Sequence, residues 1–234
     1  MPLADGHATL TFMKLPNHLA VIPDGNRRWA KDNRWSLFKG YQKGVARFRD
    51  ISLTAIKEGV PFFTFWAGSE SNLSKRSRGE IALLVLLAKN FLKQELADKT
   101  LIKNEVSFKT IGRWRQLLKD NELERLFTEL EAKTAQFTKR HLTVLFGYDG
   151  QEEMREAVKK GGENFTNNLW TKDLPPVDLV IRTGGEPHWS AGFMMWHTAN
   201  SQFYFTPKLW PDFSPAELEK AFDDYAGRNR RFGR

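Results

Sequence analysis

Asp24-Gly25-Asn26-Arg27-Arg28-Trp29 is the densest run of chemistry-bearing side chains in the sequence, and it follows directly on the apolar run Leu19–Ile22. A carboxylate at this point suits a divalent cation held through oxygen. The glycine lets backbone approach a ligand closely. The two arginines offer forked donors that match phosphate oxygens. The same residues also suit a plain Asp-Gly turn followed by a helix with a basic first turn. Two further stretches repeat the pattern. Phe62–Ala67 runs into Gly68-Ser69-Glu70-Ser71-Asn72 and the cations Lys75, Arg76 and Arg78. Val177–Ile181 runs into Arg182-Thr183-Gly184-Gly185-Glu186, with His188 and Ser190 close behind.

The elements that must position these loops are legible from periodicity. Predominantly apolar runs at 19–22, 62–67, 142–146 and 177–181 read as strands buried on both faces, the pattern of a parallel sheet. Residues 105–111 and 203–205 add two shorter strands. Helices are predicted over 40–58, stopped by Gly59, and over 81–96, 121–138 and 151–160. Another begins at Ser214, with Pro215 at its first position and Glu217 completing a capping box. Residues 29–38 and 161–168 read as loops. The helix over 81–96 is apolar almost all round, which ordinarily means burial and otherwise the wall of a greasy cavity. Strands alternating with helices predict one α/β domain with a mostly parallel central sheet flanked by helices. Right-handed crossovers would gather the three loops at one sheet edge, where such folds bind ligands. Residues 1–17 read as an N-terminal arm and 18–234 as the domain.

Composition bounds the function. The 234 residues carry a net charge of +8, which favours an anionic partner. With 18 Phe and 8 Trp they can fill a substantial core. No cysteine is present, so disulfides and thiolate metal sites are excluded. No run approaches the roughly 20 apolar residues of a membrane span, and Met1–Pro16 lacks a signal-peptide core. The expectation is a soluble, cytoplasmic protein. The basic residues sit at strand ends, not along one face, and no nucleic-acid motif appears, so no nucleic-acid partner is expected.

Asp24–Ala30, Ile181–Glu186, Leu209-Trp210-Pro211-Asp212-Phe213 and Arg230-Arg231-Phe232-Gly233, in this order, resemble the cis-prenyltransferases, of which undecaprenyl diphosphate synthase is the best-known member. The resemblance spans about 18–233 and identifies a divergent member. It implies a homodimer with an apolar tunnel behind a magnesium (Mg2+) diphosphate site. It also implies condensation of isopentenyl diphosphate with an allylic prenyl diphosphate to a longer (Z)-prenyl diphosphate, a precursor of a polyprenyl carrier lipid. By motif, Asp24 would be the catalytic and metal-binding carboxylate, and Asn26 would assist proton removal. Gly25, Arg27 and Arg28 would cradle the allylic diphosphate, with Trp29 packed behind. Ser69 and Asn72 match the second-strand motif, and Arg182 and Ser190 match the groups on isopentenyl diphosphate. The helix over 81–96 falls on the tunnel wall. Arg231-Phe232-Gly233 resembles the tail that completes the neighbouring subunit's site. Product release implies a peripheral membrane contact.

The departures from the pattern have consequences. Leu37 and Tyr41 stand where an arginine and a histidine are usual, and Ser71 and Leu73 replace a glutamate and an aromatic residue. His188 replaces an arginine as a diphosphate donor, which makes binding of isopentenyl diphosphate weaken as pH rises. Ala191-Gly192 carries a one-residue insertion. Gln202 occupies the place of an acidic ligand contributed across the dimer, so magnesium would be held less tightly. Leu37 with Tyr41 also resembles the head-to-middle relatives that make lavandulyl-type diphosphates. A short-chain or irregular synthase and a non-catalytic partner subunit are therefore the alternatives. Among the remaining histidines, His18 is expected to pack at the start of the first strand.

Overall fold

A computed structural model describes residues 14–228. Most of the expected arm, and the Arg231-Phe232-Gly233 tail, lie outside these residues. Strand β1 (His18–Ile22) leads to α1 (Asn26–Asp32) and α2 (Leu37–Glu58). Strand β2 (Phe62–Gly68) leads to α3 (Glu70–Lys75), α4 (Arg78–Asp98) and α5 (Thr100–Lys103). Then come β3 (Val106–Ile111), α6 (Trp114–Leu118), α7 (Asn121–Thr134), β4 (Arg140–Phe146) and α8 (Gly150–Gly161). A 3₁₀ segment (Gly162–Asn168), β5 (Leu179–Arg182), β6 (Gln202–Phe205), a 3₁₀ turn (Trp210–Asp212) and α9 (Pro215–Gly227) complete the described residues.

The six strands form one sheet in the order β3-β4-β2-β1-β5-β6. Every neighbouring pair is parallel. Side chains alternate between two cores, because successive residues of a strand point to opposite faces. Leu19, Val21, Phe63, Phe65, Leu179 and Ile181 belong to one core. Ala20, Ile22, Trp66, Leu145 and Val180 belong to the other. Strand order reverses at β1, with β2 on one side and β5 on the other. That is the switch point at which open α/β sheets leave a crevice.

Several local expectations change. Residues 29–38, read as a loop, contain the end of α1 and the start of α2, with Ser36 capping α2 through a bond from the Lys39 amide. Only Trp29 and Ala30 of α1 are buried, too few to print a helical period. Residues 161–168 wind into the 3₁₀ segment. Helix α7 stops at Thr134, four residues short of the expected end. The Thr134 hydroxyl bonds back to Leu130 O and accepts the Phe108 amide, tying the helix end to β3. Ser214 precedes α9 as expected, but its side chain makes no cap bond, and Glu217 pairs with Lys220 instead of closing a capping box. His18 is fully buried, with its ring between Pro175 O and Thr64 Oγ1.

Candidate active site

The site is built from the ends of neighbouring strands. Ile22 of β1 pairs with Arg182 of β5, so the residues that follow them emerge side by side. Asp24 comes next, locked by its backbone: its amide donates to Thr183 Oγ1 (2.9 Å), and the Thr183 hydroxyl donates to Asp24 O (2.8 Å). Gly25, at φ 113°, holds the left-handed turn that starts α1, a conformation that favours glycine. Its Cα side also faces Leu209, which a Cβ would meet at 2.8 Å.

Asp24 is flanked by two guanidinium groups. Arg182 Nη2 lies 3.2 Å from Oδ2 and Arg28 Nη2 lies 3.3 Å from Oδ1. Arg28 also donates to Gly184 O at 2.7 Å. Arg182 is buried and donates through Nη1 to Ser190 Oγ at 2.6 Å. Its Nε is buried with no hydrogen-bond partner among the described residues. Burial lowers the Arg182 pKa, and the Asp24 carboxylate opposes that shift. A buried guanidinium with an unfilled donor is suited to receiving an anion. His188 is exposed and its Nε2 lies 3.0 Å from Ser190 Oγ.

A cavity of about 640 Å³ opens here. Asp24, Asn26, Arg27, Ser69, Asn72, Arg182 and Ser190 line it together, and among the described residues Asp24 is its only carboxylate. Its inner wall is apolar: Phe48 and Phe65, then Leu87 and Phe91 of α4, and deeper still Phe108 and Phe127. Of α4, Leu84, Ala88 and Leu92 also reach the wall, whereas Leu86 is exposed on the opposite side. Gly25, Arg28, Trp29 and His188 are not among the residues that line the cavity. Trp29 packs behind the loop, its indole N–H donating to Asp212 Oδ1 at 2.8 Å. Ser69 caps α3 by accepting the Asn72 amide at 3.0 Å, and the Asn72 side chain is exposed.

Two features were not read from the sequence. Glu80 is buried on α4, accepting the Tyr41 hydroxyl (2.5 Å) and pairing with Arg76 Nε (3.2 Å). Arg76 lies over the Tyr41 ring at 5.6 Å, and both line the cavity mouth. Burial, reinforced by Glu80, pushes the Tyr41 phenol well above its usual pKa. The second feature is Gly44 of α2, where a Cβ would stand 2.2 Å from Asn26 Oδ1. The absence of a side chain lets α2 press against α1 and place Asn26 in the cavity wall. Asn26 Oδ1 is buried without a partner among the described residues. Gln202 starts β6 at the end opposite Arg182, away from this chain's own mouth. The inserted Ala191 carries φ 46°, and its carbonyl accepts the Gly150 amide, which seats the insertion on α8.

Residues 22–233 match the family model described as putative undecaprenyl diphosphate synthase. The chain belongs to this prenyltransferase family. An isoprenyl transferase of Aquifex pyrophilus is 36% identical over 231 residues, covering 95% of this chain and 97% of the relative. The crystal structure of lavandulyl diphosphate synthase from Lavandula x intermedia, in complex with dimethylallyl diphosphate, superposes with TM-score 0.86 at 31% identity. That match covers 94% of this chain and 99% of the other. A probable undecaprenyl diphosphate synthase from Campylobacter jejuni gives TM-score 0.75 at 26% identity, covering 95% and 100%. The chain is thus a transferase of prenyl groups with the fold expected of that family.

Proposed function

We propose that the chain condenses isopentenyl diphosphate with an allylic prenyl diphosphate, giving a longer (Z)-prenyl diphosphate for a polyprenyl carrier lipid. One observation carries this reading: a cavity whose mouth holds Asp24, Arg27, Arg76 and Arg182 and whose depth is lined by aromatic and aliphatic side chains. A diphosphate suits the first part and a hydrocarbon tail the second.

The allylic C–O bond breaks with its electron pair leaving on the diphosphate. Fixed donors at that point stabilise the developing charge most when they are already in place. Arg27 and Arg28 cradle this leaving group beside Gly25. The apolar wall keeps water from the allylic cation until the isopentenyl double bond supplies the pair for the new carbon–carbon bond. A proton then leaves to restore the alkene, with Asn26 and Asp24 placed to direct it. Arg182 and Ser190, with Ser69, Asn72 and His188 nearby, hold the second diphosphate.

The donor set fits magnesium, which is ordinarily held by one or two carboxylates together with substrate phosphates. Asp24 would hold it, and the bound ion supplies positive charge to the leaving diphosphate. We also include a homodimer in this reading; edge strand β6, with Phe205 exposed, supports it. No helix among the described residues is long and apolar enough to cross a membrane.

A second reading is head-to-middle coupling of two allylic diphosphates. Leu37 and Tyr41 in the first turns of α2, and the likeness to lavandulyl diphosphate synthase, favour it. Product analysis separates the two. Isopentenyl diphosphate incubated with dimethylallyl, geranyl or farnesyl diphosphate should give a linear, lengthened product. A branched product from dimethylallyl diphosphate alone selects the second reading. No product from any combination, with or without magnesium, would leave a non-catalytic subunit.

A further inference from the structure

The turn between α1 and α2 and the first turn of α2 carry an exposed aromatic pair, Trp35 at 56% and Phe38 at 40% exposure. Large apolar side chains in that position lose nothing by entering a lipid interface, and Trp is the residue best suited to its headgroup level. Lys31, Arg34, Lys39 and Lys43 surround the pair, all exposed. None of these four has a carboxylate within ion-pair distance among the described residues, so their charge is left to face solvent. Lys39 Nζ lies 5.9 Å from the centre of the Trp35 ring. Asp32 is the one acidic side chain in the stretch 31–43. The turn is fixed: the Trp35 amide donates to Ala30 O (2.8 Å) and the Arg34 amide to Lys31 O (3.0 Å).

The patch is continuous with the cavity. Phe38 stands three residues before Tyr41 and seven before Val45 on α2, and both of these line the cavity. Residues so spaced share one helix face. An apolar strip therefore leads from the exposed turn to the mouth that holds Arg76 and Asp24.

We infer that Trp35 and Phe38, ringed by Lys31, Arg34, Lys39 and Lys43, dock the protein on an anionic membrane surface with the cavity mouth at headgroup level. The inference rests on the proposed prenyl-transfer reading and adds the surface on which a long-tailed product would be released. Cations near such a surface are drawn by its negative potential, and the aromatic pair adds apolar burial.

The test is co-sedimentation of the full chain with phosphatidylcholine vesicles, with and without phosphatidylglycerol. The wild-type protein should pellet with the anionic vesicles, less so with neutral ones, and be released by salt. Trp35→Ser with Phe38→Ser should weaken binding about tenfold. Lys39→Glu with Lys43→Glu should abolish the preference for anionic lipid. All these residues are exposed, and unfolding temperatures are measured alongside to show that the fold is kept. Equal binding by the variants, absence of wild-type binding, or tighter binding of an RNA oligonucleotide through the same residues would overturn the inference. Turnover in detergent with a short allylic starter, measured on the same samples, separates this outcome from failure of the prenyl-transfer reading. Trp35 and Phe38 variants keep that turnover if only the docking is lost.

Discussion

Arg182 Nη2 stands 3.2 Å from Asp24 Oδ2, bridging the ends of adjacent parallel strands, while its Nη1 donates to Ser190 Oγ at 2.6 Å. One buried guanidinium thus fixes both the carboxylate and the hydroxyl at the cavity mouth. Arg182→Lys keeps the charge but loses the fork. We expect it to raise the KM for isopentenyl diphosphate and to lower kcat/KM by roughly 100-fold, the scale of losing one preorganised donor. Ser190→Ala should cost less, about 1 kcal/mol. Steady-state kinetics on both variants checks the order; equal losses would contradict it.

Glu80 holds Arg76 and Tyr41 together at the same mouth. Glu80→Gln keeps an acceptor for the Tyr41 hydroxyl and removes the charge opposite Arg76. Stability should fall by roughly 1–3 kcal/mol, the penalty for leaving a buried polar group poorly paired. The KM for the diphosphate substrates should change more than kcat. Chemical denaturation and kinetics on one preparation measure both effects.

Gly44→Ala puts a methyl group where Asn26 Oδ1 now lies, 2.2 Å from the new carbon. Either α2 moves away from α1 or Asn26 leaves the cavity wall. Overpacking of this kind costs about 1–3 kcal/mol. We expect a lower melting temperature together with lost turnover. A variant with wild-type stability and activity would show that the α1–α2 contact is looser than the structure has it.

The acid limb of stability should carry the signature of His18. Burial, the largest cause, lowers its pKa from 6.5 to about 4, against the backbone bond to Pro175 that raises it. The folded protein therefore binds fewer protons at this site than the unfolded chain does. The stabilisation is fully present above about 6.5 and is lost progressively as pH falls through about 4. A shift of this size corresponds to roughly 3 kcal/mol. Denaturation curves between these limits should show the loss, and His18→Gln should flatten it.

The sheet and the three loops were legible because the strands that carry them are buried on both faces. Leu19–Ile22 prints an uninterrupted apolar run and Val177–Ile181 one broken only by Asp178, and each ends abruptly in charge. Parallel pairing then brings Asp24, Ser69 and Arg182 to one edge. Helix α1 was not legible, because it buries only two side chains. Glu80 reads in the sequence like any helix-surface glutamate, and only the packing of α4 on α2 reveals it as buried. Gly44 looks like an ordinary helix glycine until its contact with Asn26 is seen. The cavity wall takes Phe108 from β3 and Phe127 from α7, which are far apart in the chain. Apolar periodicity marked both as core and carried no sign of an opening between them. The Arg231-Phe232-Gly233 tail lies outside the described residues.

Incorporation of labelled isopentenyl diphosphate into an extractable lipid diphosphate, in wild-type protein and in Asp24→Asn, is the measurement closest to the central claim. The wild type should incorporate label with an allylic starter and magnesium. The variant should remain folded by circular dichroism and lose at least about 100-fold in rate. Undiminished incorporation by Asp24→Asn, or none by the wild type with any starter, would contradict the assignment of diphosphate chemistry to this mouth.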